Sequence, residues 1–321
     1  MLTGVAALAL AGATVVAGPS VLTGQGGSEG PAGTADRPGS GRVPAAGAAP
    51  PGGPEPGPAP GSPPRARTLS AAAAVEAYAD RLERAELRRA AALSRWGVRR
   101  MPPPPPPPPR EKPVLTTEPG HLRGEGLPPV ISRVPTEDRV VFLTIDDGAE
   151  KDPDLLAMTR ELGIPYSSFL ADYVVRDDYD YFRRMRDDGV ALHNHTVHHR
   201  EMTRLGHAAQ RDEICGQQDI MEREFGARPE LFRPPYGAYD QHTLRAAAEC
   251  GVRAVPLWAA EAFADRMEWS RADRVLHPGD IILTHFRGED RWDGTMPDMV
   301  RLVLETAAAQ GFALARLEDY I

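Results

Sequence analysis

The sequence predicts an α/β protein: a distorted parallel (β/α)7–8 barrel over residues 127–321, preceded by a disordered Pro/Gly-rich region with one helix. Three observations predict it. The 33 prolines and 31 glycines crowd into the part before residue 130. After Leu127, short apolar runs alternate with helical patterns. Most of those helical patterns stop at a glycine.

In chain order, residues 1–28 carry no charge, and Leu2 to Val16 is an apolar run before Ala17-Gly18-Pro19-Ser20. Over 1–24 this reads as an export signal or a single membrane anchor, without the basic residues that usually precede a signal. Residues 25–66 are a Gly/Pro/Ala tract too poor in apolar surface to offset chain entropy, so a disordered linker is expected. Residues 70–97 form a predicted amphipathic helix. Ser70 caps its start, Val75, Tyr78, Leu82 and Ala85 recur at helical spacing, Asp80 precedes Arg84 by four, and Gly97 follows. A Pro-rich linker, 98–126, holds eight consecutive prolines at 102–109.

In the barrel region Val140–Ile145 reads as a buried strand. Asp152-Pro153 starts a helix that ends before Gly163. Strands are expected at 167–170, 190–192, 231–233, 254–257, 281–284 and 312–315. Helices are expected at 178–188, 208–225, 241–250 and 296–310. Cys215 and Cys250 are open to two readings, one disulfide or two buried thiols. With 37 basic against 45 acidic residues, net charge −8, and no basic stripe with interleaved aromatics, nucleic acid is not an expected partner.

Active sites of parallel barrels lie at the C-terminal strand ends, and four polar groups fall there. Thr144-Ile145-Asp146-Asp147-Gly148 ends the first strand, and two adjacent carboxylates are costly unless a cation or shared proton relieves them. His193-Asn194-His195-Thr196-Val197-His198-His199 holds four of the nine histidines. The i, i+4 spacing puts His195 and His199 on one side of a turn, and with Asp147 they make a metal-ligand set with open positions. Phe232-Arg233-Pro234-Pro235-Tyr236-Gly237 is a rigid turn that can hold Arg233 and the Tyr236 N–H in place. Leu283-Thr284-His285 ends a later strand and offers a general acid. Taken singly, an acidic turn, a solvated histidine patch, a Pro-Gly turn and a structural histidine are all ordinary features. Their joint order is not.

That order, Asp-Asp, His-x3-His, Arg-Pro-Pro-Tyr, Leu-x-His, resembles the polysaccharide deacetylase family (NodB homology, carbohydrate esterase family 4) from Val140 to the end. The resemblance implies a NodB-like barrel that removes N-acetyl groups from a glycan such as peptidoglycan or a chitin oligosaccharide. It implies Asp147, His195 and His199 as metal ligands and Asp146 as base, oriented by Arg233. It implies the Tyr236 N–H as oxyanion donor, His285 as acid, and Leu283, Trp258 and Pro234 as substrate-binding residues. Zinc is the expected divalent metal, with cobalt and nickel as alternatives. The protein is expected outside the cytoplasm, secreted or tethered to the outer membrane face, and monomeric.

The chain departs from the family pattern near the acid. The family's supporting Asp is matched by the stretch Trp258-Ala259-Ala260-Glu261-Ala262, with Asp265 and Trp269 later, and the partner of His285 stays open. Phe286 stands where an Asp often follows the histidine, and Ala149-Glu150-Lys151 replaces a Gly-Pro continuation. Two other readings compete. One is another C–N amide or imide hydrolase on the same fold. The other is a glycan-binding wall protein with a degenerate site.

Overall fold

The computed structural model describes residues 71–321; the export signal or anchor read over 1–24, the linker over 25–66 and the Ser70 cap lie outside the described residues. In chain order the elements are α1 (Ala71–Arg95), β1 (Val130–Ile131), β2 (Val140–Asp147), α2 (Pro153–Leu162), β3 (Ser167–Leu170), α3 (Asp172–Val175), α4 (Tyr179–Asp187) and β4 (Ala191–Asn194). They continue with α5 (His207–Phe225), α6 (Gln241–Glu249), β5 (Val255–Pro256), β6 (Ala260–Ala262), β7 (Met267–Trp269), β8 (Ile281–His285), α7 (Met296–Gln310) and β9 (Ala313–Leu314).

Parallel pairings run β4–β3–β2–β8–β6. Single parallel bridges, Asn194 to Phe232 and Leu231 to Ala254, carry the circuit from β4 to the β5–β6 passage and close a distorted barrel. The strand expected at 231–233 is reduced to those bridges, one at Leu231 and one at Phe232. β1 pairs with β5, and β9 pairs with the start of β2. The antiparallel β6–β7 hairpin has no counterpart in the sequence reading, since strands of three residues show no usable periodicity.

The pleat of β2 decides what reaches the site. Val140 and Phe142 join an inner apolar cluster with Phe169, Leu231 and Ile281. Val141, Leu143 and Ile145 join an outer cluster with residues of α2, α4 and α7. Alternation therefore places Thr144 and Asp146 on the inner face, at the C-terminal end of the column. Caps fix the helix ends as the sequence suggests. The Asp152 carboxylate accepts from the Asp154 N–H ahead of Pro153, and Gly163 closes α2 with φ 65°. Gly279, φ 83°, precedes β8; a Cβ there would lie 1.9 Å from the Val134 carbonyl oxygen, so only glycine passes.

α1 uses its apolar stripe only at the C-terminal end. Ala92 and Trp96 are buried, the Trp96 indole N–H donates to Glu161 (2.8 Å), and Arg301 donates to the Trp96 carbonyl (3.0 Å). Val75, Tyr78 and Leu82 are exposed. The Pro-rich stretch 98–126 is in contact with the body. Lys112 Nζ donates to the Ile321 backbone oxygen (2.8 Å), and the Glu118 carboxylate accepts from both N–H and hydroxyl of Ser132. Among the described residues no helix is long and apolar enough to cross a membrane.

Cys215 of α5 and Cys250 at the end of α6 form a disulfide, with Cα atoms 5.0 Å apart and a sequence separation of 35. It staples the two helices that pack over Ile214, Leu244 and Ala247. From loop-closure entropy, replacing both cysteines by serine is expected to cost about 3–4 kcal/mol. The check is denaturant unfolding of the double variant against the oxidised protein. Equal midpoints would show that the crosslink adds nothing.

Candidate active site

The site is assembled at the C-terminal ends of β2, β4 and β8 and at the turn after Phe232. Asp146 is the last inward residue of β2. It is buried, and its Oδ1 accepts from Arg233 Nη1 at 2.7 Å. Arg233 is wholly buried. Nη1 also donates to Thr144 Oγ1 (2.9 Å) and Nε to the Pro256 carbonyl (2.8 Å), and the guanidinium lies 4.2 Å from the Phe169 ring centroid. A buried charge of either sign is expensive, and here each supplies the other's compensation.

Asp147 cannot follow the strand pleat and still face the site. It takes φ 79°, a left-handed conformation rare for a residue with a side chain. Gly148, φ 94°, completes the turn; a Cβ on it would lie 2.6 Å from Val175 and 3.0 Å from Phe182. Asp147 Oδ1 then lies 3.1 Å from His199 Nε2 and 3.5 Å from His195 Nε2. That oxygen is buried and has no hydrogen-bond partner. The other, Oδ2, accepts from Arg287 Nη2 at 2.6 Å. Burial pushes the carboxyl of Asp147 up, and the facing imidazoles of His195 and His199 more than reverse this, holding it well below the usual carboxylate range.

His195 Nδ1 lies 2.7 Å from the Arg233 carbonyl oxygen, so Nδ1 donates to that carbonyl and the ring turns Nε2 toward Asp147. His199, φ 54°, is positioned by its N–H, which donates to Thr196 Oγ1 (3.0 Å). One ligand atom from each of Asp147, His195 and His199 lies within 4.8 Å of the others. An orphaned carboxylate oxygen facing two imidazole nitrogens is a donor set that a divalent cation fits.

The remaining expected residues surround this triad. Tyr236, φ 62° between Pro235 and Gly237, is exposed, with its ring 4.8 Å from that of His199. Pro234 is buried, and the half-buried Trp258 has its ring 5.9 Å from the Arg233 guanidinium carbon. Leu283 and His285 follow Ile281 on the inner face of β8. His193 and His198 stand apart from the triad, bound to Glu318 (2.8 Å) and Glu213 (3.0 Å).

The structure names the partner of His285 that the sequence left open. β6 pairs with β8 so that Glu261 stands opposite Leu283, and Glu261 Oε1 reaches to 3.4 Å from His285 Nδ1. Burial, with the negative charges of Glu268 and Asp146, raises Glu261 to about 7. Burial also pushes His285 below the ordinary imidazole range, against the pull of Asp146 and Asp147. Sequence reading missed Arg287 and the exposed Tyr173, whose ring is 6.2 Å from His199. Neither sits in a periodic pattern that could have marked it.

A family model described as polysaccharide deacetylase matches residues 133–255. An uncharacterized protein of Streptomyces coelicolor is 45% identical over 200 residues, 62% of this chain and 80% of that protein. A chitooligosaccharide deacetylase of a Bradyrhizobium species is 31% identical over 159 residues, 46% of this chain and 70% of the relative. Among solved structures, a peptidoglycan N-acetylglucosamine deacetylase superposes with TM-score 0.52 at 22% identity, over 60% of this chain and 92% of that one, a likeness of fold.

Because Glu261 is raised above its unfolded value of 4.5, its stabilising contribution is complete below pH 4.5 and is lost as pH rises through about 7. Glu261→Gln is therefore expected to melt progressively higher than the parent protein between pH 5 and pH 8. Thermal melts at both ends of that range test it, and a difference independent of pH would contradict the shift.

Proposed function

This chain belongs to the polysaccharide deacetylase family, a family of hydrolases, and we propose that it hydrolyses N-acetyl groups from the amino sugars of a cell-wall or chitin-like glycan. The observation that carries the reading is the buried Asp147, His195 and His199 set beside Asp146, which Arg233 holds at 2.7 Å. Asp147, His195 and His199 would hold a divalent cation, for which zinc is the first candidate. Bound there, such a cation supplies Lewis acidity that polarises a carbonyl and makes a nearby water more acidic.

The chain's own residues do the rest. Asp146, fixed by Arg233 on one oxygen, keeps Oδ2 free of the arginine to accept a proton from the attacking water. The Tyr236 N–H, in a turn stiffened by Pro234 and Pro235, serves as a donor to the developing oxyanion. His285 protonates the departing amine. As a neutral imidazole it has no proton to spare, and the raised carboxyl of Glu261 supplies one across the 3.4 Å contact. Glu261 thus takes the supporting role expected of an Asp. Leu283, Trp258 and Pro234 line the acetyl and sugar pocket.

An extracytoplasmic location, secreted or anchored to the outer face of the plasma membrane, belongs to the same proposal and has one support. The Cys215–Cys250 disulfide suits an oxidising compartment.

Acetate release from N-acetylglucosamine oligomers and from peptidoglycan is expected to depend on added divalent metal. It should fall by about 10²–10⁴-fold in Asp146→Asn, the usual worth of a positioned base. Release untouched by both chelation and this substitution would sink the mechanism. The rate is also expected to fall as pH rises through about 7, when the Glu261–His285 pair gives up its proton. In Glu261→Gln that limb should move to lower pH, toward the depressed His285. A superimposable profile would remove Glu261 from the proton path.

A further inference from the structure

The triad carries an arginine that the deacetylation scheme does not use. Arg287, two residues beyond His285, reaches back from the loop after β8 and donates from Nη2 to Asp147 Oδ2 at 2.6 Å. The two oxygens of this one carboxylate are divided: Oδ2 is taken by the guanidinium, and Oδ1 faces His195 and His199. Asp146 has the same arrangement with Arg233. Each of two adjacent carboxylates thus has its own arginine, but the two arginines differ. Arg233 is wholly buried and turned on the base, whereas Arg287 is one-third exposed and sits on the ligand.

We propose that Arg287 is a positioning residue that sets the metal affinity of the site, holding Asp147 to a single ligating oxygen while its fixed positive charge weakens cation binding. The inference rests on the reading of Asp147, His195 and His199 as a metal site. Two effects of the arginine oppose each other. A hydrogen-bonded partner that orients a ligand strengthens binding, and its loss typically costs about 10–100-fold in affinity. A like charge a few ångströms away weakens binding by a comparable or larger factor at an effective dielectric of about 20. Orientation needs only a donor, and the repulsion needs the charge. Lysine keeps the charge and a donor at nearly the arginine's length; glutamine drops the charge and, two bonds shorter, also gives up the hydrogen bond that Nη2 makes to Oδ2.

The experiment is zinc and cobalt titration of the full chain against a chelator of known affinity, for the parent protein, Arg287→Gln and Arg287→Lys, with thermal melts to confirm folding. Arg287→Gln is expected to bind about tenfold or more tightly than the parent, and Arg287→Lys to stay within about threefold of it. Equal affinity in all three makes Arg287 a bystander. Weaker binding by Arg287→Gln makes it an orienting group without the tuning charge. Tightening by both variants assigns the effect to geometry and not to charge. Each of these three outcomes overturns the proposal. A parent protein that binds neither metal overturns the metal-site reading itself, a failure distinct from a parent that binds while its variants do not differ.

Discussion

The Arg233–Asp146 pair is the contact around which the site is organised. Arg233 is a full-length cation with no access to solvent, and its side-chain partners come from two separate segments. It bonds Thr144 and Asp146 on β2, the Pro256 carbonyl on β5 and, more weakly, the Leu257 carbonyl at 3.3 Å. Its carbonyl accepts from His195. One side chain therefore fixes the direction of Asp146, proposed as the base, and its own backbone fixes the ring nitrogen of His195, a candidate metal ligand. Breaking such a pair from one side leaves a buried charge unpaired, which costs more than the pair contributes as a whole. The geometry is held by that asymmetry.

Adjacent carboxylates create the second constraint. Asp146 obeys the pleat of β2 and points inward, so Asp147 would point outward into the apolar layer of Leu143 and Ile145. The left-handed turn at Asp147, continued by Gly148, brings it back to the site. Strain at Thr196, His199 and Tyr236, all with positive φ, belongs to the same pattern. Backbone in this state persists only when the surroundings over-determine it, and here the surroundings are hydrogen bonds to side chains of the site.

The proton supply shows how a departure from the expected pattern is absorbed. A glutamate is one methylene longer than an aspartate, and β6 carries Glu261 in register with Leu283, next to the histidine it serves. Buried, and close to Glu268 and Asp146, it holds its proton to a higher pH than an exposed carboxyl would. In the proposed mechanism the group that supports His285 is thus a carboxyl that holds a proton and not a permanent anion.

The sequence by itself determined the barrel and singled out Asp147, His195 and His199 as a candidate metal-ligand set. Both are written in local patterns: strand runs ended by polar residues, helices stopped by Gly163, Gly226 and Gly311, and two histidines four apart. Such signals depend on neighbours within a few residues, and so they survive reading without a structure. Only the tertiary structure decided that Cys215 and Cys250 are joined, that Glu261 and not Asp265 faces His285, that Arg287 sits on Asp147, and that α1 packs by Ala92 and Trp96 while Val75, Tyr78 and Leu82 face solvent. The first and third of these join residues 35 and 140 apart in sequence. The β6–β7 hairpin that presents Glu261 is too short to leave a period. The choice of partner was made by strand register and by the reach of side chains across the barrel mouth, which local patterns do not encode.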